Sequence, residues 1–384
     1  MKRLRLACLA AVLASLCAVV HGEVLVPRSD AQVVEVLPAV SGDRAEERRL
    51  RREWAADPGD ARKAVALARR QLEQARADGD PRRAGQALAA LQAWPDPAKA
   101  PDDVLLMVAT IEQYLHDFDA SAKHLLRLVE RQPRHAQAWL TLATVRRVQG
   151  RYAESDQACE GLASAGAALH ARACRAENDG LRGDVDAARA VLRRLADAPR
   201  LDTGTRGWLL TTLAELEART GRAPEAEAAY RAALSAQRDG YATMSYADFL
   251  MQQQRFDDAL TTLKDEPRTD AVLLRLAIAG TRAHAPDAAR DAREMRERMS
   301  LANLRPEART THAREQAMFA LWVDGAPQRA LQLARSNVRH QREPLDLLVL
   351  AEAARAVGQP AALREADTIR KEMGLHDQRL DALL

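Results

Sequence analysis

Three histidines, two acidic pairs and two cysteines are the residues of this 384-residue chain whose types and spacing could do chemistry. His116, His124 and His135 lie close in sequence, as the ligands of a zinc ion can. Glu215/Glu217 and Asp257/Asp258 are paired carboxylates of the kind used for general acid–base work. Cys159 and Cys174 are either a disulfide or two buried thiols. None of these sets is complete. A metal site needs the histidines to converge with a further ligand, whereas His116 falls in a turn, His124 in the next helical stretch and His135 beyond Pro133. The acids alternate with Arg and Lys along helical stretches, the pattern of a solvated face. There is no paired CxxC, no HExxH, no GxSxG, no Gly-rich phosphate loop ending in Lys-Ser or Lys-Thr, and no GxGxxG after a strand. The expectation is a chain with no catalytic residue, no metal and no cofactor.

What would position such side chains is a repeat. A small residue recurs at Ala109, Ala143, Ala176, Ala214, Ala247, Ala277 and Ala351, with Met318 in the same place, roughly every 34 residues. Seven positions on come Gly150, Gly183, Gly221, Gly325 and Gly358. Two further lie Phe118, Tyr152, Phe256, Pro327 and Pro360, and beyond them Ser121, Ser155, Ala188, Ala226, Ala259, Ala330 and Leu363. Small residues let antiparallel helices approach closely. Glycine in the turn supplies a left-handed backbone. Proline at Pro224, Pro327 and Pro360 sits just inside a second helix, where no backbone donor is needed. Pro133, Pro199, Pro267 and Pro344 stop second helices. Strand signals are nearly absent after residue 44, so the fold class is all-α.

This pattern resembles the tetratricopeptide repeat family. The best match is Ala138–Leu162, with Trp139, Leu142, Ala143, Gly150, Tyr152, Ser155 and Leu162 in the family's positions. The resemblance runs over roughly Pro101–Met373, with Ala61–Trp94 as a degenerate repeat. It implies an α-solenoid of about eight to nine helical hairpins; a HEAT-like array fits the period and turn residues less well. Met318 in place of a small residue, the missing turn glycine after Ala277 and insertions at Ala198–Thr205 and Ser300–Arg309 are departures. The resemblance also implies a concave groove lined by first helices, and assigns to it Gln113, Thr144, Arg147, Trp208, Glu215, Tyr241, Asp248, Met251 and Arg355. This mixture of polar, apolar and aromatic groups suits another protein or peptide as partner, with a few anchors carrying the energy. Trp139 and Trp322 are expected in the core.

The ends divide the chain further. Residues 1–22 read as a secretory signal, with basic Lys2, Arg3 and Arg5, an apolar run Leu6–Val20 and small residues before Glu23. Residues 23–43 read as an extended leader, 44–100 as N-terminal helices with the degenerate repeat, 101–373 as the solenoid and 374–384 as a cap or frayed tail. The whole chain carries 57 basic and 54 acidic residues. Cleavage after Gly22 would remove three bases and no acid, which leaves the two in balance. A neutral chain with no basic stripe argues against nucleic acid. No other apolar run approaches a membrane span. The expected location is therefore periplasmic or secreted. Export also favours a bridge between Cys159 and Cys174, which fall at comparable heights on adjacent antiparallel helices. The reading is an exported, non-catalytic scaffold for protein–protein interaction in the cell envelope. The alternative is an accessory factor in assembly or export of a polysaccharide or surface structure.

Overall fold

The computed structural model describes residues 42–78, 81–96, 99–302 and 312–384. The signal at 1–22, nearly all of the leader and most of the second insertion lie outside them. Residues Met1–Arg48 and Arg49–Leu384 are separate units. Of the first, only the opening turns of helix α1 (Gly42–Ala56) are described. The second unit holds all the other described elements.

Each of those elements is a helix. A first hairpin pairs α2 (Ala61–Asp78) with α3 (Pro81–Ala90). Four more come after it: α4 (Asp102–Tyr114) with α5 (Phe118–Arg131), α6 (Ala136–Val148) with α7 (Tyr152–Ser164), α8 (Ala168–Leu181) with α9 (Val185–Ala196), and α10 (Thr203–Arg219) with α11 (Ala223–Ala236). The last four are α12 (Gly240–Gln252) with α13 (Phe256–Leu263), α14 (Asp270–Ala283) with α15 (Ala288–Ala302), α16 (Ala313–Trp322) with α17 (Pro327–Asn337), and α18 (Pro344–Val357) with α19 (Pro360–Met373). A short α20 (Gln378–Asp381) ends the chain. No strand occurs among the described residues. The all-α solenoid, with nine hairpins among the described residues, is thus the architecture that the repeat predicts.

The repeat positions do the physical work assigned to them. The anchor residues are all buried, Met318 included. The hydroxyls of Ser121 and Ser155 each donate 2.8 Å bonds across the hairpin to the carbonyls of Ala109 and Ala143. All five turn glycines have positive φ. So do His116, Gln254 and His284, which hold the same repeat position without glycine. A non-glycine residue there carries a steric cost of about 1–2 kcal/mol; the hairpin geometry imposes the conformation regardless of side chain. Asp117, Asp202, Asp239 and Thr269 cap first or second helices through their side chains. The insertion near Ala198 is absorbed partly by lengthening α10 to 17 residues. Pro344, expected to stop a helix, instead opens α18 at its first position, where its missing donor is harmless. In the last hairpin Ala362, not Leu363, takes the fully buried place.

Two features depart from a simple stack. The pair Glu215/Glu217 is not one solvated face. Residues two apart on a helix point to different sides. Glu217 is 0% exposed and pairs with Arg189 at 2.8 Å, Arg193 at 3.1 Å and Arg222 at 3.3 Å. The second feature is closure. The last hairpins return onto the turns of the third, fourth and sixth. Arg342 N–H donates to the Val148 carbonyl at 2.7 Å, and His376 N–H to the Leu181 carbonyl at 2.8 Å. Arg379 donates to Gln252 at 2.7 Å. Tyr152 and Leu181 belong to one apolar cluster with Leu347, Met373, Leu375 and Leu380. The segment read as a cap or frayed tail is packed: Leu380 is fully buried, and Asp377 holds the Arg379 guanidinium at 2.9 Å and 2.5 Å. Gly150 faces this contact with φ +74°, and a Cβ there would lie 2.9 Å from Met373.

Candidate functional site

The first helices of successive hairpins present their inner faces to a recess of about 230 Å³. From α6, α8, α10 and α12 come Arg147, Glu177, Glu215, Tyr241 and Asp248; Arg275 comes from α14. Closure adds Arg314, Glu343 and Arg379 from hairpins that are distant in sequence.

The recess is an electrostatic lattice. Arg147 pairs with Glu177 at 2.9 Å, and Arg275 grips Asp248 in a fork at 2.8 Å and 2.6 Å. Two parallel bonds of this kind fix a guanidinium plane as well as neutralise it. Glu215 accepts from the Tyr241 hydroxyl at 2.7 Å and the Ser245 hydroxyl at 2.9 Å. Burial raises the pKa of Glu215, with Arg219 and the two hydroxyls opposing. The adjacent carboxylate of Glu215 raises that of Tyr241. Arg314 forks onto Asp346 at 2.6 Å and 2.7 Å and also reaches Glu343. Glu343 and Asp346 form a capping box at the start of α18. Asp346 is raised by burial against the pull of Arg314, whereas Glu343 ends lowered because Arg314 outweighs its own burial.

Of the residues assigned to the groove from sequence, Arg147, Glu215, Tyr241 and Asp248 meet in this recess. Thr144, Arg147 and Trp208 line a neighbouring one of about 340 Å³, where Trp208 stacks on His170 at 5.7 Å. Asp248 and Met251 line a third, of about 200 Å³, with Trp322 and Glu352. Gln113 lines none of the three, and Arg355 instead donates to the Ala382 carbonyl at 3.3 Å. Trp322 is not core: it is half-buried at the third recess and donates to Glu352 at 3.0 Å. Trp139 is likewise half-buried, lying against Gly161. Tyr152, Arg219, Arg314, Glu343 and Arg379 were missed. They come from second helices, helix ends and the returning hairpins, and the repeat places none of them on the inner face.

The residues first singled out for chemistry do not assemble. His124 bonds Glu112 at 2.7 Å, His135 caps α6, and His116 stacks on Phe118. Among the described residues, no group of three or more His, Cys, Asp or Glu is placed to hold a metal ion. Cys159 and Cys174 form a disulfide between α7 and α8, with Cα atoms 5.9 Å apart. No described helix is long and apolar enough to cross a membrane.

An array of helical hairpins with a lined inner face defines a helical-repeat binding protein as a class. The tetratricopeptide repeat family signature matches residues 106–170 and 211–271. With the described hairpins, this makes the chain a tetratricopeptide repeat protein. Its fold is similar to that of a Rap protein solved in complex with Competence and Sporulation Factor, at 10% identity and a TM-score of 0.50 over 86% of this chain and 92% of that one. A tetratricopeptide repeat protein from Parabacteroides merdae matches at 15% identity and a TM-score of 0.47, over 58% of this chain and 84% of that one. Pseudomonas aeruginosa pilF matches at 13% identity and a TM-score of 0.37, over 54% and 94%. At such identities the likeness is one of fold. Among curated proteins, none matches the chain.

Proposed function

We propose that this chain is an exported, non-catalytic scaffold that binds another protein or peptide in the cell envelope through the inner face of its first helices. The observation that carries this reading is the convergence of Arg147, Glu215, Tyr241 and Asp248, from three different first helices, on one recess. Tyr241 is its natural anchor: a ring 61% exposed at the edge of the recess, with its hydroxyl already oriented by Glu215. Tyrosine offers large contact area at low entropic cost and is enriched among residues that dominate interfaces. The Rap protein on a similar fold was solved with a factor bound, which fits a binding role. Export rests on the basic and apolar character of residues 1–22.

The test is crosslinking mass spectrometry on intact cells, with the wild-type chain and Tyr241→Ala compared. A specific envelope protein crosslinked to first-helix residues, and lost in Tyr241→Ala, supports the scaffold. Identical crosslinks in both chains, or crosslinks only to outer-face lysines, refute groove binding. Recovery from the cytoplasm of a chain that retains Met1–Gly22 refutes export.

A further inference from the structure

The segment Leu375–Leu384 leaves the hairpin that carries it and lies on hairpins far away in sequence. The terminal element of a solenoid ordinarily covers its last repeat. This one runs on across the turns of the fourth, fifth and sixth hairpins. His376 N–H donates to the Leu181 carbonyl at 2.8 Å. The Gln378 side chain lies at the turn of Gly221, and Nη1 of Arg379 donates to Gln252 at 2.7 Å, across 127 residues of sequence.

The turns leave room for it. A Cβ on Gly183 would lie 3.0 Å from the His376 ring, and one on Gly221 would lie 2.6 Å from the Gln378 amide oxygen, so that the neighbour would have to move. A Cβ on Gly325 or Gly358, at the same place in the eighth and ninth hairpins, would meet nothing within 4 Å. The missing side chains form a track across successive turns. Packed helices stand about 8–10 Å apart, and three residues of extended chain cover about 10 Å. An extended segment therefore meets a new turn every two or three residues, as Met373, His376 and Gln378 do at Gly150, Gly183 and Gly221.

The segment is held as extended peptides are, by main-chain bonding and by seated side chains. His376 supplies the main-chain bond. Leu375 and Leu380 are the seated anchors, 1% and 0% exposed, in one apolar cluster with Tyr152 and Leu181 of the remote hairpins. Between the anchors Asp377 pairs with Arg379, so the polar middle of the segment carries its own charge balance. Arg379 also lines the central recess, and its acceptor Gln252 lines both that recess and the third. The segment thus fills part of the inner face.

We propose that residues 375–384 are a tethered ligand. They occupy in cis a track on the turns of the fourth to sixth hairpins. That track accepts an extended segment of another protein, with two apolar anchors five residues apart and an acid–base pair between them, and the segment binds by displacing the tail. Displacement withdraws Arg379 from the recess, so occupation of the rim opens the inner face. The opening of the inner face rests on the scaffold reading; the track stands without it.

The test uses the full chain and, as probe, a synthetic peptide of residues 375–384 with a fluorophore and a photocrosslinker at its N-terminus. A tethered segment competes at an effective concentration on the order of millimolar, so wild type should bind the probe weakly. Leu375→Ser/Leu380→Ser loosens the tail and leaves the track untouched; fluorescence anisotropy should show it binding the probe at least tenfold more tightly. The probe with both leucines replaced by serine should not bind. Crosslinks should fall on the turns at Gly183 and Gly221. Hydrogen exchange of wild type decides the matter if the double variant does not fold: amides of Leu375–Leu384 should exchange ahead of those of Pro344–Val357, as a segment that opens alone requires. The inference is overturned if the tail exchanges no faster than that helix, if the probe binds both chains alike, if it binds neither while the variant keeps its helical content, or if it crosslinks only to the inner faces of first helices. None of these outcomes alters the comparison of wild type with Tyr241→Ala, which tests groove binding separately.

Discussion

Opening the Cys159–Cys174 bridge should loosen two helices and little else. The bridge spans a sequence separation of 15. In the chain-entropy treatment, a closed loop of that size restricts the unfolded segment by about 3 kcal/mol. In a solenoid each repeat contacts its neighbours, so this term is felt locally. The bonded helices are Tyr152–Ser164 and Ala168–Leu181. Beside the bridge, Asn178 donates to the Ser155 hydroxyl at 2.9 Å, which in turn donates to the Ala143 carbonyl, so native packing is retained once the bond is opened. With about 3 kcal/mol less resistance to opening, amides of both helices should exchange roughly a hundredfold faster, since each 1.4 kcal/mol is a factor of ten. The assay is hydrogen–deuterium exchange with mass spectrometry on the oxidised chain, on the reduced chain with both sulfurs in place, and on Cys159→Ala/Cys174→Ala. Reduction isolates the bond; the double variant adds the loss of two buried sulfurs and should exchange somewhat faster still. Helix Phe118–Arg131 serves as the internal control and should not change. The reasoning fails if exchange in the two bonded helices alters less than threefold on verified reduction, or if both thiols are alkylated in oxidised protein without reductant.

Glu217→Ala should destabilise the chain by roughly 3–5 kcal/mol, because it strips the common partner from Arg189, Arg193 and Arg222; a guanidinium unfolding midpoint equal to wild type would show those arginines to be solvated. Gly150→Ala and Gly325→Ala both force alanine into left-handed backbone, at about 1–2 kcal/mol each, but only the Gly150 Cβ meets Met373, and open space surrounds that of Gly325. The first should therefore speed exchange in Pro360–Met373 and the second should not; equal effects there would remove the closing contact. Glu352, whose pKa burial raises, accepts from Trp322. A raised carboxyl weakens the folded state above its folded pKa and is neutral in effect below its unfolded pKa. Glu352→Gln keeps the acceptor without the charge, so its melting temperature should exceed wild type at pH 7 and converge with it near pH 4; a constant offset across that range would exclude titration as the cause.

Much of the fold could be read in the sequence because it is periodic. The left-handed turns at Gly150, Gly183 and Gly221 follow from the residue, and those at His116, Gln254 and His284 follow from the repeat even where glycine is absent. The disulfide followed from two cysteines at matching heights of adjacent helices. The inner face was half legible: Arg147, Glu215, Tyr241 and Asp248 sit at first-helix positions and converge, whereas Arg355 at an equivalent position reaches the tail instead. Arg314, Glu343 and Arg379 could not be read. A repeat encodes how one hairpin packs on the next. Whether the eighth hairpin touches the third depends on a rotation summed over several steps, and no local pattern states that sum. Glu217 was misplaced for a related reason: charge alternation reports a helix surface, not which neighbour covers it.

The bonds from Arg342 to Val148 and from His376 to Leu181 have a consequence for descent. Open arrays of this kind lengthen or shorten by duplicating or deleting a unit, and the remainder is indifferent. Here an added or lost unit between Leu181 and Arg342 would carry the end of the chain past the turns that it grips. It would also pull Arg314, Glu343 and Arg379 away from Arg219. The tally of units is thereby locked to the central chamber, and homologues that keep one should keep the other.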